Sequence, residues 1–161
     1  MLLEPGIVLT VALNILFWAG FSFGTAWLGS RVGRERIEPD SPLFRRREWE
    51  KNGRIYEKLL KVRRWKDHLP DWGGIFAGGF SKGRLRSGDD GYLRMFVIES
   101  CRGEAVHWAV LCLGPLSLIW NPLWAGAIMT AYGVAANLPC ILVQRYNRIR
   151  LQRLLEARRR L

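Results

Sequence analysis

At 161 residues the chain has material for one domain, and its net charge of +11 would suit a nucleic-acid binder. The basic residues are segregated from the apolar ones, however, and that pattern sets a nucleic-acid partner aside. Cys101, Cys112 and Cys140 form an odd set without metal-ligand spacing, so neither a disulfide nor a zinc site is expected.

Residues 5–30 carry no charge. A helix needs roughly 20 apolar residues to cross ~30 Å of hydrocarbon, so a first span is expected over about 6–29. The residues before it include Glu4 and no Lys or Arg, which argues for a retained membrane helix rather than a cleaved signal. Trp27 suits the interface. Asn14, the one strongly polar residue of the span, is expected to hydrogen-bond to another helix.

Residues 31–46, interrupted by Pro39 and Pro42, read as a connector. Over 47–65, Trp49, Tyr56, Leu59 and Leu60 recur near helical spacing among charged residues, with Val62 at the flank. This pattern predicts a basic helix that lies on anionic lipid or packs against the span ends. Residues 73–91 hold seven glycines: Gly73, Gly74, Gly78, Gly79, Gly83, Gly88 and Gly91. Lys82, Arg84 and Arg86 lie among them. The spacing of a phosphate loop is absent, which leaves a glycine-rich loop whose cations could meet an anion.

Residues 92–104 read as a helix leading into a second charge-free run, 105–144. That run is too long for one span and divides at Asn121-Pro122, because proline pushes the preceding residue out of helix. It predicts a hairpin of two spans, about 105–120 and 122–143. Ala127, Ala131 and Ala135 form a small-residue stripe suited to close helix packing. The tail 145–161 is basic, with Ile149, Leu151, Leu154 and Leu155 placed to rest on the bilayer.

The loop 31–103 holds 18 Lys and Arg against 11 Asp and Glu, and the tail holds 7 against 1. Every basic residue therefore lies in one of two segments that three spans put on the same side. The positive-inside rule makes that side cytoplasmic. The expected architecture is an all-α integral membrane protein. A single membrane domain, residues 1–161, would have one N-terminal span, a C-terminal hairpin and a basic cytoplasmic loop containing an interfacial helix.

Folding the hairpin at about residue 121.5 brings His107 level with about 136, beside Asn137. Glu104 comes level with Pro139 and Cys140, and Glu99 with Gln144. Polar groups at membrane depth are costly and tend to mark function. Glu104 and His107 are i, i+3 neighbours, so a carboxylate could orient an imidazole base, the arrangement of acyl-transfer and hydrolytic sites. Cys101 is a weak nucleophile candidate, because its spacing turns it away from His107.

The segment Glu99-Ser-Cys-Arg102-Gly-Glu104-Ala-Val-His107-Trp108, with Asn137-Leu-Pro139 and Gln144-Arg145-Tyr146-Asn147-Arg148, resembles the glycosyl-4,4′-diaponeurosporenoate acyltransferase family. Trp49-Glu50-x-x-Gly53-x-x-Tyr56 and Trp65-Lys66-x-x-Leu69-Pro70 fit the same pattern, and the likeness covers about 45–150. It implies a transferase of the bacterial cytoplasmic membrane, multi-pass, moving a fatty acyl group from an acyl thioester to a lipophilic glycosylated acceptor of carotenoid biosynthesis. The expected catalytic set is His107, Glu104, Glu99 and Asn137. Arg102, Gln144, Arg145, Tyr146, Asn147 and Arg148 are expected to bind substrate. No cofactor or metal is implied. Membrane lipids are expected partners, with room for a homo-oligomer or a biosynthetic complex. A non-enzymatic membrane scaffold or lipid-binding subunit, and a membrane hydrolase using the same His and Glu, remain open on the residues alone.

Overall fold

The computed structural model describes residues 6–70, 73–74, 80–82 and 85–160. Glu4 and, in the glycine-rich segment, Gly78, Gly79, Gly83 and Arg84 lie outside the described residues. Among the described residues every regular element is helical.

Helix α1 spans Ile7–Arg31. It starts where Gly6 is extended and ends where Val32 turns extended. Arg31 in the last turn complements the helix dipole and lies over the Trp27 ring, 5.0 Å from its centroid. Most of α1 is exposed, Ile7, Val8, Ile15 and Leu16 among its outward residues, as a lipid-facing helix requires. Trp18 alone is buried.

The connector leads into short helical pieces rather than the single amphipathic helix expected over 47–65. A 3₁₀ turn covers Glu48–Gly53, α2 covers Arg54–Lys58 and α3 covers Val62–Trp65. Lys51, Asn52 and Lys61 adopt left-handed backbone angles, as does Gly53 at φ 87°. Those angles break the helical period, so the stripe is split. Tyr56 and Val62 turn inward onto Tyr146 and Ile149, while Trp49 and Leu59 stay exposed. A Cβ on Gly53 would sit 3.2 Å from Ile149, so glycine serves both the angle and the close approach.

Helix α4, Asp90–Leu113, is capped by the Asp89 carboxylate accepting from the Tyr92 amide at 3.1 Å. A 3₁₀ stretch, Gly114–Ile119, continues it to the turn at Asn121-Pro122. Helix α5, Leu123–Arg158, then runs 36 residues without a break, about 54 Å. Pro139 lies inside α5 and does not end it. Among the described residues, α1 and α5 are the two elements long and apolar enough to cross a membrane by length and composition. Helix α4 carries Glu99, Arg102 and Glu104 in its middle.

Polar and close-packed contacts fix α1 on the hairpin. Asn14 and Asn121 exchange amide hydrogen bonds at 3.0 and 2.8 Å, and Trp120 Nε1 donates to Asn14 at 3.0 Å. This is the interhelical bond expected of Asn14. The edge of the Trp18 indole abuts Gly133 of α5, where a Cβ would lie 2.4 Å from the ring. The face of α5 turned to the bundle is thus Gly126, Gly133 and Asn137. Ala127, Ala131 and Ala135 point outward, so the small-residue stripe does not pack against this chain's own helices. The tail differs from expectation in part, with Leu154 left exposed. Ile149 and Leu155 are buried among protein side chains, the latter against Leu93 and Val97, rather than lying on a bilayer.

Candidate active site

The hairpin register brings His107 and Asn137 together. His107 Nδ1 and Asn137 Oδ1 are 2.9 Å apart. Asn137 is buried, and its Nδ2 donates to the Gly133 carbonyl at 2.9 Å. That carbonyl can only accept, so the amide end facing His107 must be its oxygen. An oxygen accepts a proton from Nδ1, which leaves Nε2 of a neutral ring with a free lone pair. Two hydrogen bonds therefore define which nitrogen can act as a base.

Glu104 does not supply this orientation. Its carboxylate is fully buried and is held by Arg145 Nη1 at 2.9 Å and by Arg148 Nη1 at 2.5 Å. Trp108 Nε1 donates to it more distantly, at 3.4 Å. The level-residue argument placed Glu104 beside Pro139 and Cys140, and the difference has a physical cause. Helical side chains lean toward the helix N-terminus. On α4 that direction leads away from the turn, and on α5 it leads toward it. Glu104 and the two arginines thus converge although their Cα atoms are offset.

Arg145 is the centre of a buried polar cluster. Besides Glu104, it donates to Glu50 at 2.6 and 3.3 Å, to the Leu43 carbonyl at 3.2 Å and to the Arg45 carbonyl at 3.0 Å. Glu50, also fully buried, accepts from the Tyr56 hydroxyl at 2.6 Å and from the Arg47 amide at 2.5 Å. Burial alone would push the Glu50 carboxyl up, but hydrogen bonds from Arg145, Tyr56 and the Arg47 amide hold it below the ordinary carboxylate range. Burial and the Glu50 partner push the Tyr56 phenol above its own range. Arg148 is completely buried, with its guanidinium 5.5 Å from the centroid of the Phe44 ring. The cluster bolts residues 43–57 onto the end of the α4–α5 pair remote from the Asn121-Pro122 turn.

The other expected site residues fall outside the His107 pair. Glu99 accepts from Arg34 at 2.7 Å and from Arg102 at 2.8 and 3.0 Å, and Arg102 also donates to the Val32 carbonyl at 2.7 Å. This clamp ties the end of α1 to α4, which corrects the expectation that Glu99 meets Gln144. Gln144 packs instead on Gly103, where a Cβ would lie 3.1 Å from its amide. The Tyr146 hydroxyl donates to Glu57 at 2.9 Å. Asn147 is half-buried. Cys101 is fully buried, which pushes its thiol up to about 11 and removes it as a nucleophile at neutral pH.

Two features escaped the sequence reading: the partners of Glu50 and the docking of Phe80 on α4. Glu50 was visible only inside a motif, with no partner assigned. Lys82 follows Phe80, which is anchored on α4 by Phe96 and Tyr92 at ring separations of 5.3 and 5.4 Å. Phe96 and His107 lie about three turns apart on one face of α4.

A family model described as glycosyl-4,4′-diaponeurosporenoate acyltransferase matches residues 40–157. Three relatives carry the same description. The protein of Staphylococcus haemolyticus (strain JCSC1435) is 33% identical over 147 residues, covering 91% of this chain and 85% of its own length. Those of Staphylococcus aureus strains bovine RF122 / ET3-1 and USA300 are each 29% identical, covering 90% of this chain and 87% of theirs. No solved structure matches. The matched span holds the Glu50 and Arg145 cluster and the His107–Asn137 pair together, and the chain belongs to the glycosyl-4,4′-diaponeurosporenoate acyltransferase family.

Proposed function

We propose that the chain transfers a fatty acyl group from an acyl thioester to a hydroxyl of a lipophilic glycosylated acceptor, such as a carotenoid glucosyl ester, at the cytoplasmic face of a bacterial membrane. The observation that carries this reading is the His107–Asn137 pair, whose tautomer is fixed by the bond from Asn137 to the Gly133 carbonyl. In the proposed step His107 Nε2 takes the acceptor hydroxyl proton as the hydroxyl oxygen attacks the thioester carbonyl carbon. Collapse of the tetrahedral oxyanion breaks the C–S bond, and the leaving thiolate takes the proton back from the imidazolium. Both Asn137 amide ends are already engaged, so Asn137 is not the group that stabilises the oxyanion. Glu104, Glu99, Arg102, Arg145 and Arg148 act as positioning residues that hold the loop and α1 against the hairpin.

The membrane arrangement that goes with this reading has three spans in one domain, 1–161, with the N-terminus outside and both basic segments inside. The first hairpin arm, 105–119, is short. Its 3₁₀ half rises ~2.0 Å per residue, so the arm reaches about 25 Å, close to the hydrocarbon thickness with modest local thinning. An acceptor too apolar to leave the bilayer can then present its sugar where His107 lies, near the cytoplasmic interface.

The test is steady-state kinetics in nanodiscs with a labelled acyl thioester and a glycosylated carotenoid. His107→Gln should lower kcat ~100-fold or more and leave the donor KM nearly unchanged. A folded His107→Gln protein with full turnover would remove the assignment.

A further inference from the structure

The arginines expected to meet the donor are engaged with carboxylates: Arg102 with Glu99, Arg145 with Glu50 and Glu104, and Arg148 with Glu104. Gln144, which lies among them, is not. Its Oε1 is buried and accepts no hydrogen bond among the described residues. A carbonyl oxygen left so between two helices is costly, and a ligand N–H would offset that cost. The asparagine amides between the helices are satisfied, Asn14 and Asn121 by each other and Asn137 by His107 and the Gly133 carbonyl. We infer, on the thioester reading of the donor, that Gln144 is a donor-binding residue. Its Oε1 accepts the N–H of the amide nearest the sulfur in a pantetheine-type acyl thioester.

Position, room and charge support this. Gly103 precedes His107 by four residues on α4, about 6 Å along the axis. Gln144 packs on Gly103, where a Cβ would lie 3.1 Å from its amide. Glycine is a poor residue for the middle of a helix, and no positive φ calls for it here. Its missing side chain is what lets the amide sit between α4 and α5. On α5, Gln144 lies two turns beyond Asn137 on the face turned to α4. The unpartnered oxygen therefore has a wall on either side and stands on the side of His107 away from the turn. In the proposed topology a donor from the cytoplasm arrives on that side, whereas the lipophilic acceptor reaches His107 from the bilayer. In a pantetheine thioester four bonds join the reacting carbonyl carbon to the first amide nitrogen, and extended they span about one helical pitch of 5.4 Å. With that carbonyl at His107, the amide nitrogen falls level with Gly103 and Gln144. The arm is uncharged at this point, as Gln144 is. Gln144 is only partly buried, so one edge of its amide stays open to the arm. The side-chain oxygens of Ser100 and Gln152 are also buried and unpartnered, but Ser100 is fully enclosed and Gln152 lies two further turns from Asn137.

The experiment measures binding of two unreactive thioethers to the full chain in zwitterionic nanodiscs, corrected for partition into empty nanodiscs. One is S-octyl-N-acetylcysteamine, and the other carries an ester oxygen in place of its amide N–H. Wild type should bind the amide about 10-fold more tightly, the scale of one buried hydrogen bond. Gln144→Met, which keeps the length and loses the acceptor, should bind both alike. Should that variant fail to run as a monodisperse species, Gln144→Leu should show the same loss of preference. Equal affinity for the two ligands in wild type overturns the inference, and so does a preference that survives in a folded Gln144 variant. The binding readout needs no turnover, so it separates from the proposed function. Acyl-coenzyme A and an acylated carrier protein, offered in turn as donors, distinguish the carriers that bring such an arm. Gln144→Met should raise the KM of the effective donor roughly 10-fold. Transfer with an unaltered donor KM in the variant sinks the Gln144 assignment alone, and transfer from neither carrier with the amide preference intact sinks the transferase reading alone.

Discussion

Replacing Arg145 by Met should destabilise the packing of residues 43–57 on α4 and α5 rather than merely weaken donor binding. The Arg145 side chain is 12% exposed, and its carboxylate partners Glu50 and Glu104 are 1% and 0% exposed. Removing one partner of a buried pair costs about 3–5 kcal/mol, because the remaining charge stays desolvated. Glu104 retains Arg148, whereas Glu50 retains only the Tyr56 hydroxyl and the Arg47 amide, so the loss falls mainly on Glu50. Domains of this size move by about 2–4 °C per kcal/mol, so melting should drop by roughly 10 °C. The assay is thermal unfolding in detergent by tryptophan fluorescence, checked by size exclusion. Arg145→Met/Glu50→Gln should recover part of the loss, since the uncompensated charge is gone. The same network sets a pH dependence. The folded Glu50 carboxyl lies below its ordinary value of 4.5, so its contribution is present above that value and is lost as pH falls below it. Tyr56 lies above its ordinary 10.0, so its contribution holds below pH 10 and fades as pH rises further. An Arg145→Met protein with wild-type melting and a raised donor KM would refute this reasoning and return the arginine to the substrate.

Asn137→Leu should lower kcat at least several-fold in folded protein, because the imidazole loses the acceptor that fixes its tautomer; unchanged kcat would assign Asn137 to packing alone. Gly133→Leu should displace the Trp18 indole and cost about 1–3 kcal/mol, seen as a lowered melting temperature and an altered tryptophan spectrum. In a cysteine-free background, an impermeant thiol reagent added outside whole cells should label Leu123→Cys at the hairpin tip and miss Lys58→Cys. The reverse pattern would invert the topology.

The sequence was legible where physics is local or one-dimensional. The charge-free length of residues 5–30 predicts α1, and Pro122 predicts the turn from which His107 and Asn137 come level. Asn14 declared itself by being the one amide in an apolar span. Three features were not legible, each for a specific reason. Counting residues from a turn gives Cα levels but not side-chain lean, so Glu104 was assigned to His107 instead of to Arg145 and Arg148. The break in 47–65 comes from left-handed angles at Lys51, Asn52 and Lys61, residue types that do not signal such angles. Phe80 docks on Phe96, a contact between segments that no periodicity encodes.

The most direct measurement is mass spectrometry of products formed by the purified chain alone in nanodiscs, given an acyl thioester and a glycosylated carotenoid. The account predicts an acceptor heavier by one acyl group and one equivalent of free thiol in wild type, with both nearly abolished in His107→Gln. A correctly folded wild-type chain that releases thiol without acylating the acceptor would identify a hydrolase, and one that does neither would contradict the transferase mechanism altogether.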